Sequence, residues 1–150
     1  MDDIKSILLE IARLADLQIK ERQIEVLDRG CPHSPSGLPR ERMGIYLFKY
    51  EDTYLKIGKA GPNSNARFRS QHYTPGSSQS NLAKSILNDP SMDKFNLNNE
   101  NVGDWIKQNV QRIDILVDSS LSIFILDLFE SFLHCKFKPK YEGFQNQRKQ

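Results

Sequence analysis

Residues 43–59 read MGIYLFKYEDTYLKIGK, and this stretch decides the fold. Residues 43–50 are aromatic or aliphatic almost throughout, as a strand requires, and residues 53–59 read as a second strand. Only Glu51 and Asp52 lie between them, so the two form an antiparallel hairpin. Side chains alternate across a strand, which puts Tyr46, Phe48 and Tyr50 on one face and Tyr54, Lys56 and Gly58 on one face. A three-residue turn at Glu51-Asp52-Thr53 sets Tyr46 opposite Gly58 and Phe48 opposite Lys56, all on the same side. A two-residue turn sends Tyr46 and Lys56 to opposite sides. The three-residue connection is the prediction.

Working forward, Gly61-Pro62-Asn63 breaks the strand, and Asn63, Ser64 or Asn65 caps a helix running through Arg67 to about residue 72. Residues 74–81 (TPGSSQSN) are a polar loop, and a helix over 82–87 ends before Asp89-Pro90. Residues 91–104 are rich in Asn and Asp and show little periodicity. Residues 112–117 (RIDILV) read as a third strand, and Ser119-Ser120 cap an apolar helix over 121–135. The tail beyond Pro139 is basic and polar.

Working backward, residues 31–39 (CPHSPSGLP) hold three prolines and a glycine, a linker or an extended arm. Before it, Ile4, Leu8, Ile11 and Ala15 make an amphipathic helical stripe, with Asp2 and Asp3 where the helix dipole favours negative charge. That helix is expected to reach about residue 28, with Gly30 as its terminator. The fold class is therefore α+β: a small three-stranded, largely antiparallel sheet flanked by helices. Residues 1–40 form an N-terminal helix and arm, and residues 41–150 form the domain proper.

A chain of 150 residues, 38% hydrophobic and 27% charged, is long enough to bury one core. No apolar run approaches the ~20 residues of a membrane span, and the acidic N-terminus is not a secretory signal. Two cysteines make no disulfide framework, so a cytoplasmic location is the expectation. The net charge of +2 is unevenly spread. Residues 40–72 carry seven Lys/Arg against three Asp/Glu and residues 130–150 carry five against two, whereas residues 1–39 and 73–129 are acidic. Folding those two basic segments together makes a patch suited to phosphate backbones.

Gly44-Ile45-Tyr46 on the first strand, Lys56-Ile57-Gly58 on the second, Arg67 in the next helix and Glu130 on a helix after a third strand resemble the GIY-YIG nuclease family, over roughly residues 43–146. The resemblance implies a metal-dependent endonuclease acting on nucleic acid, DNA rather than RNA, with one Mg²⁺ (or Mn²⁺). It makes Tyr46 the base that activates water, a role for which its ordinary pKa near ~10 must be lowered by cations such as Lys56 and Lys59. Lys56 replaces the tyrosine of the family's second motif, as in certain restriction enzymes, and becomes a stabiliser of phosphate or nucleophile. Arg67, nine residues after Gly58, is the phosphate-binding arginine, with Arg69 its decoy and secondary contact. His72 falls near the family's histidine and assists proton transfer or contacts phosphate. Asn146 stands for the family's late asparagine. Glu130 is the metal ligand and Asp127 the fallback.

Glu130 also stands out locally, because Asp127, Glu130 and His134 make one polar stripe on an otherwise apolar helix. The plain alternative is that this stripe faces water. Cys31 with His33, and His134 with Cys135, raise a structural zinc site, but their spacings are too narrow for one. A binding module that no longer cuts is the rival function, and an interaction domain docking through Leu8 and Ile11 is a third. The same stripe would suit a homodimer.

Overall fold

The computed structural model describes residues 2–79 and 81–142. It is an α+β fold with a four-stranded antiparallel sheet. In chain order come α1 (Asp2–Leu14), β1 (Ile24–Gly30), β2 (Arg42–Tyr50), β3 (Thr53–Ala60), α2 (Asn65–Arg69), α3 (Leu82–Leu87), α4 (Val102–Asn109), β4 (Gln111–Asp118) and α5 (Ile123–Phe137). Short 3₁₀ turns occupy Glu21–Gln23, Pro75–Ser77 and Pro90–Phe95. The strand order is β1-β4-β2-β3, with every pair antiparallel.

The sheet thus has four strands where the sequence indicates three. The extra one, β1, lies in the segment expected to continue the first helix. That helix stops early because Asp16 takes a left-handed conformation (φ 59°). Leu17 N–H then donates to Ala12 O at 2.8 Å and Asp16 N–H to Arg13 O at 3.0 Å, closing a Schellman cap. An aspartate there carries no glycine-like stop signal. Beyond it, β-branched Ile24 and Val26 favour a strand, and Ile24 pairs with Val117 of β4. Gly30 ends β1, not a helix.

Helices cover both sheet faces. On one, Ile4, Leu8 and Ala12 of α1 and Leu126, Phe129 and Leu133 of α5 pack on Ile45, Leu47, Ile57, Ile113 and Ile115. On the other, Phe68, Leu82, Ile86, Val102 and Ile106 pack on Tyr46, Phe48 and Leu116. Burial on both sides explains why β2 is apolar over 43–48 and β4 over 115–117. Segment 1–40 accordingly contributes a helix and a strand to the same cores. Leu8 is fully buried and Ile11 half-buried, so the stripe offered to a partner is largely spent within this chain. The 31–39 arm also docks: the His33 ring is buried, bonded to Val110 O at 2.7 Å and to the Tyr73 hydroxyl at 2.8 Å.

The hairpin meets its predicted pairing by another route. Tyr46 stands opposite Gly58 and Phe48 opposite Lys56, yet the turn is the two-residue Glu51-Asp52, with Tyr50 opposite Thr53. A β-bulge supplies the missing residue: Lys49 pairs with Tyr54, and Leu55 is the extra one. Leu55 and Lys56 therefore both face the second core. Tyr54, expected beside Lys56, is turned to the opposite face and stacks on Phe137 with centroids 4.2 Å apart.

β3 is an edge strand, and three of its carbonyls are covered. Tyr54 O and Leu55 O accept from the N–H groups of Lys140 and Tyr141, each at 2.9 Å, and Ile57 O accepts from His134 Nε2 at 2.8 Å. Among the described residues, no helix is long and apolar enough to cross a membrane.

Candidate active site

A cleft of about 370 Å³ opens where β3 passes between α2 on one face and α5 on the other. Tyr46, Lys56, Gly58, Arg67, Glu130 and His134 line it, with Glu142 from the segment along the β3 edge. Gln71, His72, Ser78, Gln79 and the buried Asn81 also line it. Both basic segments reach this cleft, 40–72 through β2, β3 and α2 and 130–142 through the facing wall. The second contributes Glu130, His134 and Glu142 and none of its lysines, so the lining sets two acids against Lys56 and Arg67.

Gly58 lets Tyr46 reach the cleft. A Cβ at position 58 would collide with the Tyr46 hydroxyl and come within 2.7 Å of its Cε2. Gly44 plays the same part on β2, where a Cβ would lie 2.6 Å from Cδ2 of Phe68. The phenol is buried, its ring 4.1 Å from the His72 ring. Burial raises its pKa, Glu142 and Glu130 add to the rise, and the adjacent Arg67 opposes it. The expected lowering by Lys56 and Lys59 is therefore not found; Arg67 is the cation at the hydroxyl, and Tyr46 rests as the neutral phenol.

Lys56 is buried, with its amine 3.1 Å from Oε1 of Glu142. Arg67 is exposed and reaches into the cleft, whereas Arg69 is exposed and does not line it. His72 is buried and donates from Nε2 to Phe68 O at 3.0 Å. Burial, assisted by Arg112, pushes its pKa down to about 3, so it is a neutral packing ring and carries no charge to a phosphate at neutral pH. Lys59 turns to the α5 side, 2.6 Å from Asp127 and 3.8 Å from Glu130, outside the cleft lining. Asn146 lies outside the described residues.

The polar stripe on α5 faces both ways. Asp127 is half-exposed and occupied by Lys59, while Glu130 and His134 look into the cleft. Burial raises the Glu130 pKa, against the pull of Lys59, His134 and Arg67. Among the described residues no three His, Cys, Asp or Glu side chains gather to hold an ion. A divalent cation fits only as a lightly held one, on Glu130 and waters, and Mg²⁺ accepts such a site. A carboxylate this desolvated, with its lysine at 3.8 Å, suits that use. Of the residues in the zinc alternative, His33 has both ring nitrogens engaged.

Sequence reading missed Glu142, which sits in a polar tail without periodicity. It also missed the charges of β4. Arg112 and Asp114 are fully buried, with Arg112 Nε 2.8 Å from Asp114 Oδ1 and Arg29 Nε 3.0 Å from Oδ2. Their i, i+2 spacing in RIDILV was the available signal, because it puts two charges on one face of a buried strand. Comparison with protein-family models, curated proteins and solved structures finds no match.

Proposed function

We propose that this chain is a metal-dependent nuclease of the GIY-YIG type, hydrolysing phosphodiester bonds in nucleic acid, with DNA the preferred substrate. The observation that carries the reading is that Tyr46, Lys56, Arg67 and Glu130, from four separate elements, line one cleft. The elements the resemblance needs are β2, β3, α2, β4 and α5, and β1 joins the sheet at the edge away from the cleft. In this reading Arg67 and Lys56 hold the scissile phosphate, Lys56 exchanging Glu142 for a phosphoryl oxygen. Tyr46 orients the attacking water; to take that water's proton it must first give its own phenol proton to solvent, a loss that Arg67 at its hydroxyl favours and burial opposes. A divalent cation on Glu130, when bound, supplies charge stabilisation at the phosphate and leaving oxygen. His72 serves as the packing support of Tyr46.

The test is Glu130→Ala, assayed on duplex DNA, single-stranded DNA and RNA with and without Mg²⁺ or Mn²⁺. Cation-dependent cleavage by the wild type and its loss in the variant are expected; undiminished cleavage by Glu130→Ala rejects the role of Glu130. The neutral Tyr46 phenol favours a second reading, a module that binds nucleic acid without cutting. Salt-sensitive binding with no cleavage under any divalent cation selects it.

A further inference from the structure

We propose that Arg112 is the positioning residue of this site, acting through α2 to aim Arg67 at the phosphate. The proposal rests on the reading of Arg67 as a phosphate contact. Helix α2 has five residues, far too few to be stable alone, and its N-cap Ser64 makes no side-chain cap. Something else must hold it. Arg112 Nη2 donates to Phe68 O at 2.6 Å and Nη1 to Arg69 O at 3.4 Å, so one guanidinium binds the carbonyls of the two residues that follow Arg67. A cation at a helix C-terminus is also favoured by the dipole.

The guanidinium is itself fixed from every side. Asp114 accepts from its Nε, the Tyr73 hydroxyl from Nη1 at 2.8 Å, and the Phe48 and Phe68 rings lie 5.3 and 5.0 Å from Cζ. Its strand is in register with the catalytic one: Arg112 pairs with Phe48 and Asp114 with Tyr46. One strand therefore sets both the water-orienting tyrosine and the phosphate-binding arginine. Apolar residues of similar volume often replace a buried ion pair without loss of stability, so packing alone gives no reason for an arginine here. Aiming α2 does.

The test is a double-mutant cycle on the full chain, reading the Kd of fluorescein-labelled single-stranded and duplex DNA by anisotropy at fixed low salt. Arg112→Lys keeps the charge but cannot serve Asp114 and both carbonyls together. It is expected to weaken binding about tenfold, close to the effect of Arg67→Ala, while circular dichroism and Trp105 emission stay native. The double variant is expected to bind no more weakly than Arg67→Ala alone, a non-additivity that a general structural defect would not give. Tyr73→Phe, a milder change at the same guanidinium, repeats the cycle should Arg112→Lys not fold. Additive losses, or wild-type affinity in a folded Arg112→Lys, overturn the proposal. If the wild type binds DNA but Arg67→Ala does not weaken it, the reading of Arg67 fails and the proposal with it. Failure of the wild type to bind removes both this proposal and the nuclease reading.

Discussion

The Tyr46 hydroxyl occupies the space above Gly58 where any other residue would carry its Cβ. The pairing in register of these two residues and the absence of a side chain at 58 are one feature, because only a bare strand position lets the phenol cross to the β3 edge. Gly58→Ala should therefore displace the ring. The expected stability loss is about 1–3 kcal/mol by thermal melting, the usual range for overpacking. Cleavage should fall on the order of a hundredfold in a variant that still folds, since small misplacements of reacting groups are costly. Full activity in Gly58→Ala would mean that Tyr46 need not sit where it does.

In the nuclease reading, Glu142 competes with the phosphate for Lys56. Glu142→Gln should leave the amine free for a phosphate and tighten oligonucleotide binding a few-fold, a modest figure because both groups keep some solvent contact. Anisotropy at low salt measures it. Weaker binding in the variant would instead make Glu142 part of the binding surface.

His72 links acidity to stability. Its pKa lies near ~6.5 in the unfolded chain and at about 3 in the folded one. Between those values the unfolded state binds the extra proton. The contribution is thus fully present above the unfolded value and declines as pH falls toward 3, by up to about 1.4 kcal/mol per pH unit. Burial shifts His33 the same way. Urea unfolding from pH 4 to 7 should show the decline, with a shallower slope in His72→Gln; an identical slope would show that His72 is protonated in the folded protein.

Leu8 joins the N-terminal helix to the core. Leu8→Ala should cost about 2–5 kcal/mol in urea unfolding, as for other fully buried leucines. A loss below 1 kcal/mol would mean that α1 is a detachable extension.

Much of this architecture was readable from local pattern. The β2–β3 hairpin, α3, β4 and α5 follow from apolar runs, and α3 runs over the residues expected, whereas α5 is capped by Ser122 and not by Ser119-Ser120 and so spans Ile123–Phe137. The misreadings share a cause, namely signals that depend on distant partners. β1 is a strand because β4 needs a neighbour, and the Asn- and Asp-rich composition of 91–104 hides the start of helix α4, although Val102, Ile106 and Val110 recur every four residues. Of the residues lining the cleft, motif and spacing single out Tyr46, Lys56, Arg67 and Glu130. The bulge at Leu55 could not be, because it is the opposing strand that reveals an extra residue. Nor could the occupation of Lys59 by Asp127, the silencing of His72 by burial, or the arrival of Glu142, each of which is a property of the folded environment.

The cleft has one wall from each face of the sheet, α2 from the second core and α5 from the first. Such a site acts as a gauge of how the two layers are seated. A shift of either helix, from a mutation far inside one core, alters the gap across the β3 edge before any strand pairing is lost. Function should therefore fail earlier than structure on heating or in denaturant, and distant core variants should register at the cleft while the protein still looks folded.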